Sequence, residues 1–297
     1  MWMPDKVYGF SDCETQAAAF AKAAGLDYAL VDVQTFPDGE SRVRVPDGAK
    51  RAAVFRPLHN PNAKLIEVVL AASALRDQGA EEVALIAPYL PYMRQDIAFH
   101  DGEAVSQRVV GDLLARAFDR FASVDPHLHR TPTLSAVFSG KPALCLQAAP
   151  VIAEYISNQR GCEDAVIVGP DIESEPLVRA VAEPLNAPWI VADKTRHGDR
   201  DVEINLPKRE ILKDRHAVIV DDVISSGGTV ITLAELIQKA GSTSLDVYTT
   251  HALFDESAHS AIRSAGVRAV ISCDSVSHPT NAIPLAGLIA EGLRTWQ

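Results

Sequence analysis

The sequence predicts an α/β protein that is built on parallel sheets. Short apolar runs alternate with segments of helical periodicity along the whole chain, a pattern typical of strands that are covered by helices. At Thr229 one such run passes through a small-residue turn directly into a helical segment. The length of 297 residues suits two domains, and 47% hydrophobic with 23% charged residues is ordinary for a globular protein.

Eight apolar runs predict strands, and the segments between them predict seven helices. The predicted strands are 52–56, 83–87, 121–124, 165–168, 189–192, 217–220, 245–249 and 269–273. The predicted helices are 63–78, 103–118, 149–159, 175–185, 229–240, 256–265 and 285–294. In the second helix, one apolar stripe is expected to lie in the core, and it consists of Val109, Val110, Leu113, Leu114 and Ala117.

A stretch rich in proline, serine and glycine, residues 131–142, is the best candidate for a domain boundary. It separates an amino-terminal domain of residues 1–141 from a carboxyl-terminal domain of residues 142–280. The last helix, within residues 281–297, is expected to pack back on the first domain. There is no low-complexity tract in either half.

Charge and composition exclude several classes of partner. A net charge of −11 and a pI near 5.3 argue against nucleic acid, which would need a basic face. No apolar run approaches the roughly 18 residues of a membrane span, and no signal-peptide pattern is present, so we expect a cytoplasmic protein without a membrane partner. The four cysteines contain no C-x-x-C pair and predict reduced thiols, without a zinc site or a disulfide framework: Cys13, Cys145, Cys162 and Cys273.

The most informative segment is Val218-Ile219-Val220-Asp221-Asp222-Val223-Ile224-Ser225-Ser226-Gly227-Gly228-Thr229. It predicts a buried strand, a tight loop and the start of a helix. Backbone N–H groups and hydroxyls in such a loop suit a phosphate group, whereas the two acids before it would repel a phosphate and suit sugar hydroxyls or a metal ion. A sugar phosphate satisfies both halves. The alternative is an ordinary strand–turn–helix with capping residues.

Five further segments place polar side chains in turns or directly after predicted strands. Alone, they can be explained as a turn, a proline-rich loop, a structural histidine, a strand end and a solvated charged turn. These segments are Phe36-Pro37-Asp38-Gly39-Glu40, Tyr89-Leu90-Pro91-Tyr92-Met93-Arg94-Gln95-Asp96, Asp125-Pro126-His127-Leu128-His129, Gly169-Pro170-Asp171 and Asp193-Lys194-Thr195-Arg196. In this order, and followed by the segment around Asp221, they resemble the ribose-phosphate pyrophosphokinases (PRPP synthetases). The resemblance extends over nearly the full chain.

The resemblance implies two similar type I phosphoribosyltransferase-like domains, each a parallel sheet flanked by helices, and a reaction of ATP with ribose 5-phosphate that gives PRPP and AMP. It implies ATP-binding roles for Phe36, Asp38, Glu40, Arg94, Gln95, Asp96 and His127. It implies ribose-5-phosphate-binding roles for Asp221, Asp222, Ser225, Ser226, Gly227, Gly228 and Thr229. Lys194 and Arg196 would be catalytic, and Mg²⁺ would be the cofactor, held by His127 and Asp171.

The same resemblance implies a homo-oligomer of at least two subunits, because the loop at Phe36 in this family reaches ATP bound to a neighbouring subunit. Glu173-Ser174-Glu175 stands where many members carry glycines, which marks an archaeal-type or otherwise non-bacterial subclass. Two alternatives remain at this point: a phosphoribosyltransferase that consumes PRPP, and a catalytically silent homologue that regulates a true synthetase. The first leaves the motifs before residue 141 unexplained. The second predicts the loss of motif residues that are present here.

Overall fold

The structure is a computed structural model that describes residues 2–128, 130–160, 162, 164–196 and 202–296, and of residues 194–196 and 202–203 the backbone alone. The chain divides into two compact units. The first contains Met1–Gln147, Ser275–Ser277 and Leu285–Gln297, and the second contains Ala148–Asp274 and His278–Pro284. None of the helices within the described ranges is both long and apolar enough to cross a membrane.

The first unit contains a seven-stranded sheet in the order β3-β2-β1-β4-β5-β6-β7. All neighbouring strands run parallel except β2 and β3, which form an antiparallel hairpin at one edge. The strands are β1 Lys6–Phe10, β2 Asp27–Thr35, β3 Ser41–Arg44, β4 Arg51–Phe55, β5 Glu82–Ile86, β6 Arg120–Val124 and β7 Ala143–Leu146. The helices are α1 Glu14–Ala24, α2 Pro61–Asp77, α3 Ser106–Ala117, α4 Leu134–Val137 and, from the end of the chain, α9 Ala286–Arg294.

The second unit contains a six-stranded parallel sheet in the order β15-β14-β13-β12-β8-β9 and a separate two-stranded hairpin, β10-β11. The strands are β8 Val166–Gly169, β9 Trp189–Val191, β10 Asp193–Arg196, β11 Val202–Asn205, β12 His216–Ile224, β13 Ser244–Ala252, β14 Ala269–Cys273 and β15 Asn281–Ile283. The helices are α5 Ala149–Ser157, α6 Glu175–Leu185, α7 Gly228–Lys239 and α8 Glu256–Ser264. In β12, residues 216–220 are fully covered, which explains why this run is continuously apolar after its first residue.

The predicted fold class is confirmed, because each unit is dominated by a parallel sheet with helices packed on it. Every predicted strand and helix overlaps an observed one, and α6 and β14 match the predicted bounds. The elements that were not predicted are β1, β2, β3, β7, β10, β11 and β15, together with α1 and α4. The last helix, α9, belongs to the first unit, where it packs against α1 and β7. In the same place the Trp296 ring meets the Trp2 ring edge to face at 5.0 Å.

The prediction of one core stripe on α3 was wrong in part. Val110 and Leu114 are buried, whereas Val109 is 56% and Leu113 38% exposed. Successive residues of a helix point about 100° apart, so only one edge of a broad apolar stripe can face the sheet. The other edge of the stripe contributes to the surface of the first unit.

Candidate active site

The loop after β12 forms the concave feature that the sequence predicted for a phosphate. Asp221 and residues 223–230 line an open hollow of about 270 Å³. Gly227 has a φ of +76°, a conformation in which a side chain is strained, and it passes the chain into α7 at Gly228. The N–H groups in the first turn of a helix have no partner within the helix and therefore face the hollow with the positive end of the helix dipole. The loop can bind a phosphate in this way.

Two carboxylates stand beside this hollow. Asp221 and Asp222 lie near the end of β12, and both are partly exposed. The backbone N–H of Asp222 donates to Asp221 Oδ1 at 3.0 Å. Desolvation raises the pKa of Asp221 well above its ordinary value, and the negative charges of Asp222 and then Asp171 raise it further. A cation or hydroxyl donors would relieve this crowding of negative charge.

Asp171 reaches the same edge of the sheet from β8, which pairs with β12. Its Oδ1 accepts a hydrogen bond from the N–H of Glu173, and its carbonyl accepts one from Ser174 Oγ at 2.6 Å. The turn needs a glycine at position 169, because a Cβ there would lie 2.3 Å from Ser174 Oγ. The Glu-Ser-Glu departure therefore has a local role. Ser174 closes the turn that orients Asp171, and Glu175 begins α6, where a negative charge suits the helix dipole.

The loop at Phe36 is the turn of the β2–β3 hairpin. The N–H of Phe36 donates to the carbonyl of Glu40, and the N–H of Glu40 donates to Asp38 Oδ1. All five turn residues are exposed, and the Phe36 ring is 41% exposed. The base of the hairpin is held by Ser41, whose Oγ donates to Glu67 Oε1 at 2.8 Å. The hairpin thus presents an exposed aromatic ring and two acids on a firmly held base.

The segment that follows β5 is held in place by side chains from elsewhere in the first unit. Gln107 is buried and contacts the segment twice, through its N–H to the Gln95 carbonyl and through its Nε2 to the Met93 carbonyl. Asp96 is 5% exposed at its side chain and forms an ion pair with Arg130 at 3.1 Å. Arg94 and Gln95 themselves are exposed. The two side chains with the best access to a ligand are therefore Arg94 and Gln95, whereas Asp96 has a structural partner.

The remaining predicted residues fall at two places. His127 follows β6, at the same carboxyl edge of the first sheet as the segment after β5, and it is partly buried. Lys194 and Arg196 lie in β10, where their backbone positions pair with Ile204 and Val202 of β11. Their side chains lie outside the described part of the structure, as does His129. Catalytic roles for Lys194 and Arg196 and a metal-binding role for His127 remain predictions.

The donor set in the second unit fits a divalent metal ion. Three carboxylates lie at adjacent strand ends, those of Asp171, Asp221 and Asp222. Desolvation is the largest cause of the raised pKa of Asp221, and repulsion by the other two carboxylates is the next. Carboxylate oxygens are the ligands that Mg²⁺ prefers, usually together with substrate phosphates. The sequence-based prediction named Asp171 as the metal ligand of this group, and the structure adds that the charges of all three interact.

Sequence reasoning did not identify the residues that support the segment after β5. Gln107 and Arg130 are separated from it by more than ten residues, and they show no motif in the sequence. Thr131 Oγ1 donates to Gln107 Oε1 at 2.6 Å. Gln107, Arg130 and Thr131 together therefore hold the segment after β5 in place. Only the pairing of β5 with β6 brings them together.

Comparison with known protein families agrees with this arrangement. Residues 6–117 match the family model of the N-terminal domain of ribose phosphate pyrophosphokinase. Residues 141–285 match the model of the phosphoribosyl transferase domain. The two models together cover most of the chain and leave residues 118–140 between them unmatched.

Individual relatives are similar to this chain over almost their full length. The chain is 33% identical to a ribose-phosphate pyrophosphokinase of Methanopyrus kandleri, and the alignment covers 92% of this chain and 93% of that protein. It is 32% identical to a ribose-phosphate pyrophosphokinase of Methanobrevibacter smithii, and the alignment covers 97% of this chain and 99% of that protein. The structure of phosphoribosylpyrophosphate synthetase from Mycobacterium smegmatis superposes with a TM-score of 0.83, at 25% identity and 98% coverage of both chains. The chain belongs to the ribose-phosphate pyrophosphokinase family.

Proposed function

We propose that this protein transfers the β,γ-pyrophosphoryl group of ATP to the C1 hydroxyl of ribose 5-phosphate, giving PRPP and AMP. The observation that carries the proposal is the joint presence, at the end of β12, of a phosphate-binding loop and two carboxylates beside it. A sugar phosphate needs both kinds of group, with the 5-phosphate in the loop from Ser225 to Thr229 and the ribose hydroxyls on Asp221 and Asp222. Family membership over the full chain supports the same reaction.

In this reaction the C1 oxygen forms a bond to the β-phosphorus, and the bond from that phosphorus to the oxygen shared with the α-phosphate breaks. AMP leaves with that oxygen, and the C1 hydroxyl loses its proton. Negative charge accumulates on the transferring group, so positioned cations are the main catalytic need. We assign this role to Lys194 and Arg196, and the contacts to ATP to Arg94, Gln95 and His127. The carboxylates around Asp171 would hold a divalent metal ion, which we propose to be Mg²⁺, and it would supply positive charge to the phosphates.

The exposed hairpin at Phe36 supports a contact with ATP that is bound to a second copy of the chain. An aromatic ring that is 41% exposed at the tip of an anchored turn suits a contact with the base of a nucleotide. We propose that Phe36, Asp38 and Glu40 contact ATP bound to a second copy of the chain, so that the working unit is at least a dimer. We also propose that this unit acts in the cytoplasm.

The nucleotide products test the function. Purified protein is incubated with ATP, Mg²⁺ and ribose 5-phosphate, and the nucleotides are separated by chromatography. We expect AMP, formed in step with PRPP and only when the sugar phosphate is present. ADP in place of AMP would indicate a simple kinase and would overturn the proposed reaction.

A further inference from the structure

The amino-terminal edge of the second unit's sheet holds a group of side chains that the proposed reaction does not use. Cys162 precedes β8, His216 begins β12, and Asp246 is the third residue of β13. A thiol sulfur, an imidazole nitrogen and a carboxylate oxygen of these three residues all lie within 4.8 Å of one another. Among the residues that the structure describes, no other group of histidines, cysteines and acids meets this spacing.

The spacing suits a metal ion. A tetrahedral zinc ion with bonds of about 2.0–2.3 Å holds its ligand atoms roughly 3.3–3.8 Å apart. His216 Nε2 lies 3.4 Å from Asp246 Oδ2, and the Cys162 sulfur lies within 4.8 Å of a ligand atom of each of these residues. Thiolate, imidazole and carboxylate together are a donor set that favours a borderline-soft metal such as Zn²⁺ over Mg²⁺.

The environment of His216 points to the same conclusion. The residue is 5% exposed, and its Nε2 makes no hydrogen bond of regular geometry within the described residues, although Asp246 Oδ2 lies 3.4 Å away. A buried nitrogen and a carboxylate oxygen at this distance, without a well-aligned hydrogen bond between them, suit an ion that both groups bind. Its Nδ1 lies 2.7 Å from Ser244 Oγ. When Nδ1 carries the proton and donates it to Ser244, the lone pair of Nε2 faces Asp246, which is the usual arrangement of a metal-binding histidine.

The carboxylate is oriented by a further residue. Arg268 Nε donates to Asp246 Oδ1 at 3.0 Å and its second nitrogen contacts Oδ2. The guanidinium is a rigid plane, so freeing Oδ2 requires the whole group to pivot, and the Arg268 side chain, which is 49% exposed, has solvent to pivot into. Oδ2 is then available to a metal ion, which can enter at the partly exposed Cys162. Asp246 and His216 have the supporting contacts that metal ligands have in proteins.

We propose that Cys162, His216 and Asp246 form a zinc-binding site that ties together the starts of three neighbouring strands. This site is separate from the proposed catalytic end of the sheet, because Asp221 lies five positions, roughly 16 Å, along β12 from His216. It stabilises the second unit and takes no part in the transfer reaction. The sequence alone predicted no zinc site, because 54 and 30 positions separate the three residues and only the parallel sheet brings them together.

Cobalt titration of the whole protein tests the site. The chelated, reduced protein is titrated with Co²⁺, which replaces zinc and shows a charge-transfer absorption only when a thiolate binds it. Co²⁺ bound by the carboxylates around Asp221 would lack this signal. We expect one equivalent of thiolate-bound cobalt, displaced by Zn²⁺. The signal should persist in Cys145→Ser, which removes another exposed cysteine, and disappear in Cys162→Ser.

Two further readouts keep the test decisive if Cys162→Ser folds poorly. Ser244→Ala, which removes the partner of His216 Nδ1, should weaken cobalt binding about 10- to 100-fold with the signal intact. Zn²⁺ should raise the Tm of wild type but not of Cys162→Ser, with turnover of the metal-saturated catalytic site unchanged. A wild-type titration without a thiolate signal, or a signal that survives Cys162→Ser, would overturn the proposal.

Discussion

Asp171 and Asp221 lie at the carboxyl ends of adjacent parallel strands, β8 and β12, close enough for their charges to interact. Desolvation raises the pKa of Asp221, and the charges of Asp222 and Asp171 add to the shift. A carboxyl group whose pKa is raised by folding stabilises the folded state below its ordinary pKa of 3.8, and this contribution is lost as the pH rises through the raised value. The metal-free protein is therefore destabilised by this cluster at neutral pH.

The first prediction concerns Asp221→Asn. Without a divalent metal at neutral pH, the variant should melt at a higher temperature than wild type, because one repelling charge is gone. Mg²⁺ should raise the Tm of wild type much more than that of the variant. The difference between the two metal-free proteins should shrink in acid, where Asp221 of wild type is protonated. An equal response of both proteins to Mg²⁺ would separate Asp221 from metal binding.

The second prediction compares two neighbouring glycines. Gly227 has a φ of +76°, and a Cβ there would lie 2.9 Å from Ile262 Cδ1. At Gly228 a Cβ would meet only Ser226 Oγ, at 3.9 Å. We expect Gly227→Ala to lose roughly 1–2 kcal/mol in urea unfolding from the backbone alone, whereas Gly228→Ala should be unchanged or slightly stabilised. Equal stabilities of the two variants would contradict the described loop conformation.

The third prediction concerns β10. Removal of one charge-stabilising group typically lowers turnover about 10²- to 10³-fold. We expect a loss of at least this size in Lys194→Ala and in Arg196→Ala, with far-ultraviolet circular dichroism unchanged. Thr195→Ala, between them, is the matched control and should keep most of the turnover, because it removes no charged group. A fully active Lys194→Ala enzyme would remove the proposed role of this hairpin.

The fourth prediction tests the shared site. Phe36→Ala and Lys194→Ala should each be poorly active alone. If each site takes Phe36 from one subunit and Lys194 from its partner, mixed dimers contain one intact site. Equal mixing after reversible dissociation should then recover about a quarter of wild-type turnover. No recovery, with mixed dimers demonstrated by a tag on one variant, would place both residues in the site of a single subunit.

The fifth prediction concerns acid stability of the first unit. Burial, and then the charge of Lys64, lower the pKa of His59 to about 4 from 6.5. The unfolded chain binds this proton at a higher pH than the folded chain does. The contribution of neutral His59 to the free energy of unfolding should therefore be fully present above pH 6.5. It should fall, by about 3 kcal/mol at most, as the pH drops from 6.5 to about 4. Urea unfolding at several pH values should show this slope in wild type and in the exposed control His100→Asn. The slope of stability against pH should be smaller in His59→Asn. An unchanged slope in that variant would contradict the role of His59 in acid destabilisation.

Much of the fold could be predicted because strands that are buried on both faces are continuous apolar runs. The run before Asp221 is an example, and so is β8, Val166–Gly169. The hairpin strands β2 and β3 alternate covered and exposed residues at the sheet edge and include several charges, so they lack that signal. Helix α1 is rich in alanine and has little contrast between its faces, which explains why periodicity did not reveal it.

The candidate site was predictable where its residues are consecutive in the chain. The loop from Ser225 to Thr229 carries its own turn, helix start and hydroxyls, so its geometry follows from local sequence. The ion pair of Asp96 with Arg130 and the cluster of Cys162 with His216 depend on strand pairing between distant segments. No local pattern encodes such a pairing, and only the folded chain shows these contacts.

The most direct test of the account follows the β-phosphate of ATP. The protein is incubated with ribose 5-phosphate, Mg²⁺ and ATP that carries radioactive phosphorus in the β-phosphate alone, and the sugar and nucleotide products are separated. Because the whole pyrophosphoryl group is transferred, we predict the label in the sugar product, in step with unlabelled AMP. Label that remains in ADP while the sugar gains a single unlabelled phosphate would show γ-phosphoryl transfer and contradict the proposed reaction.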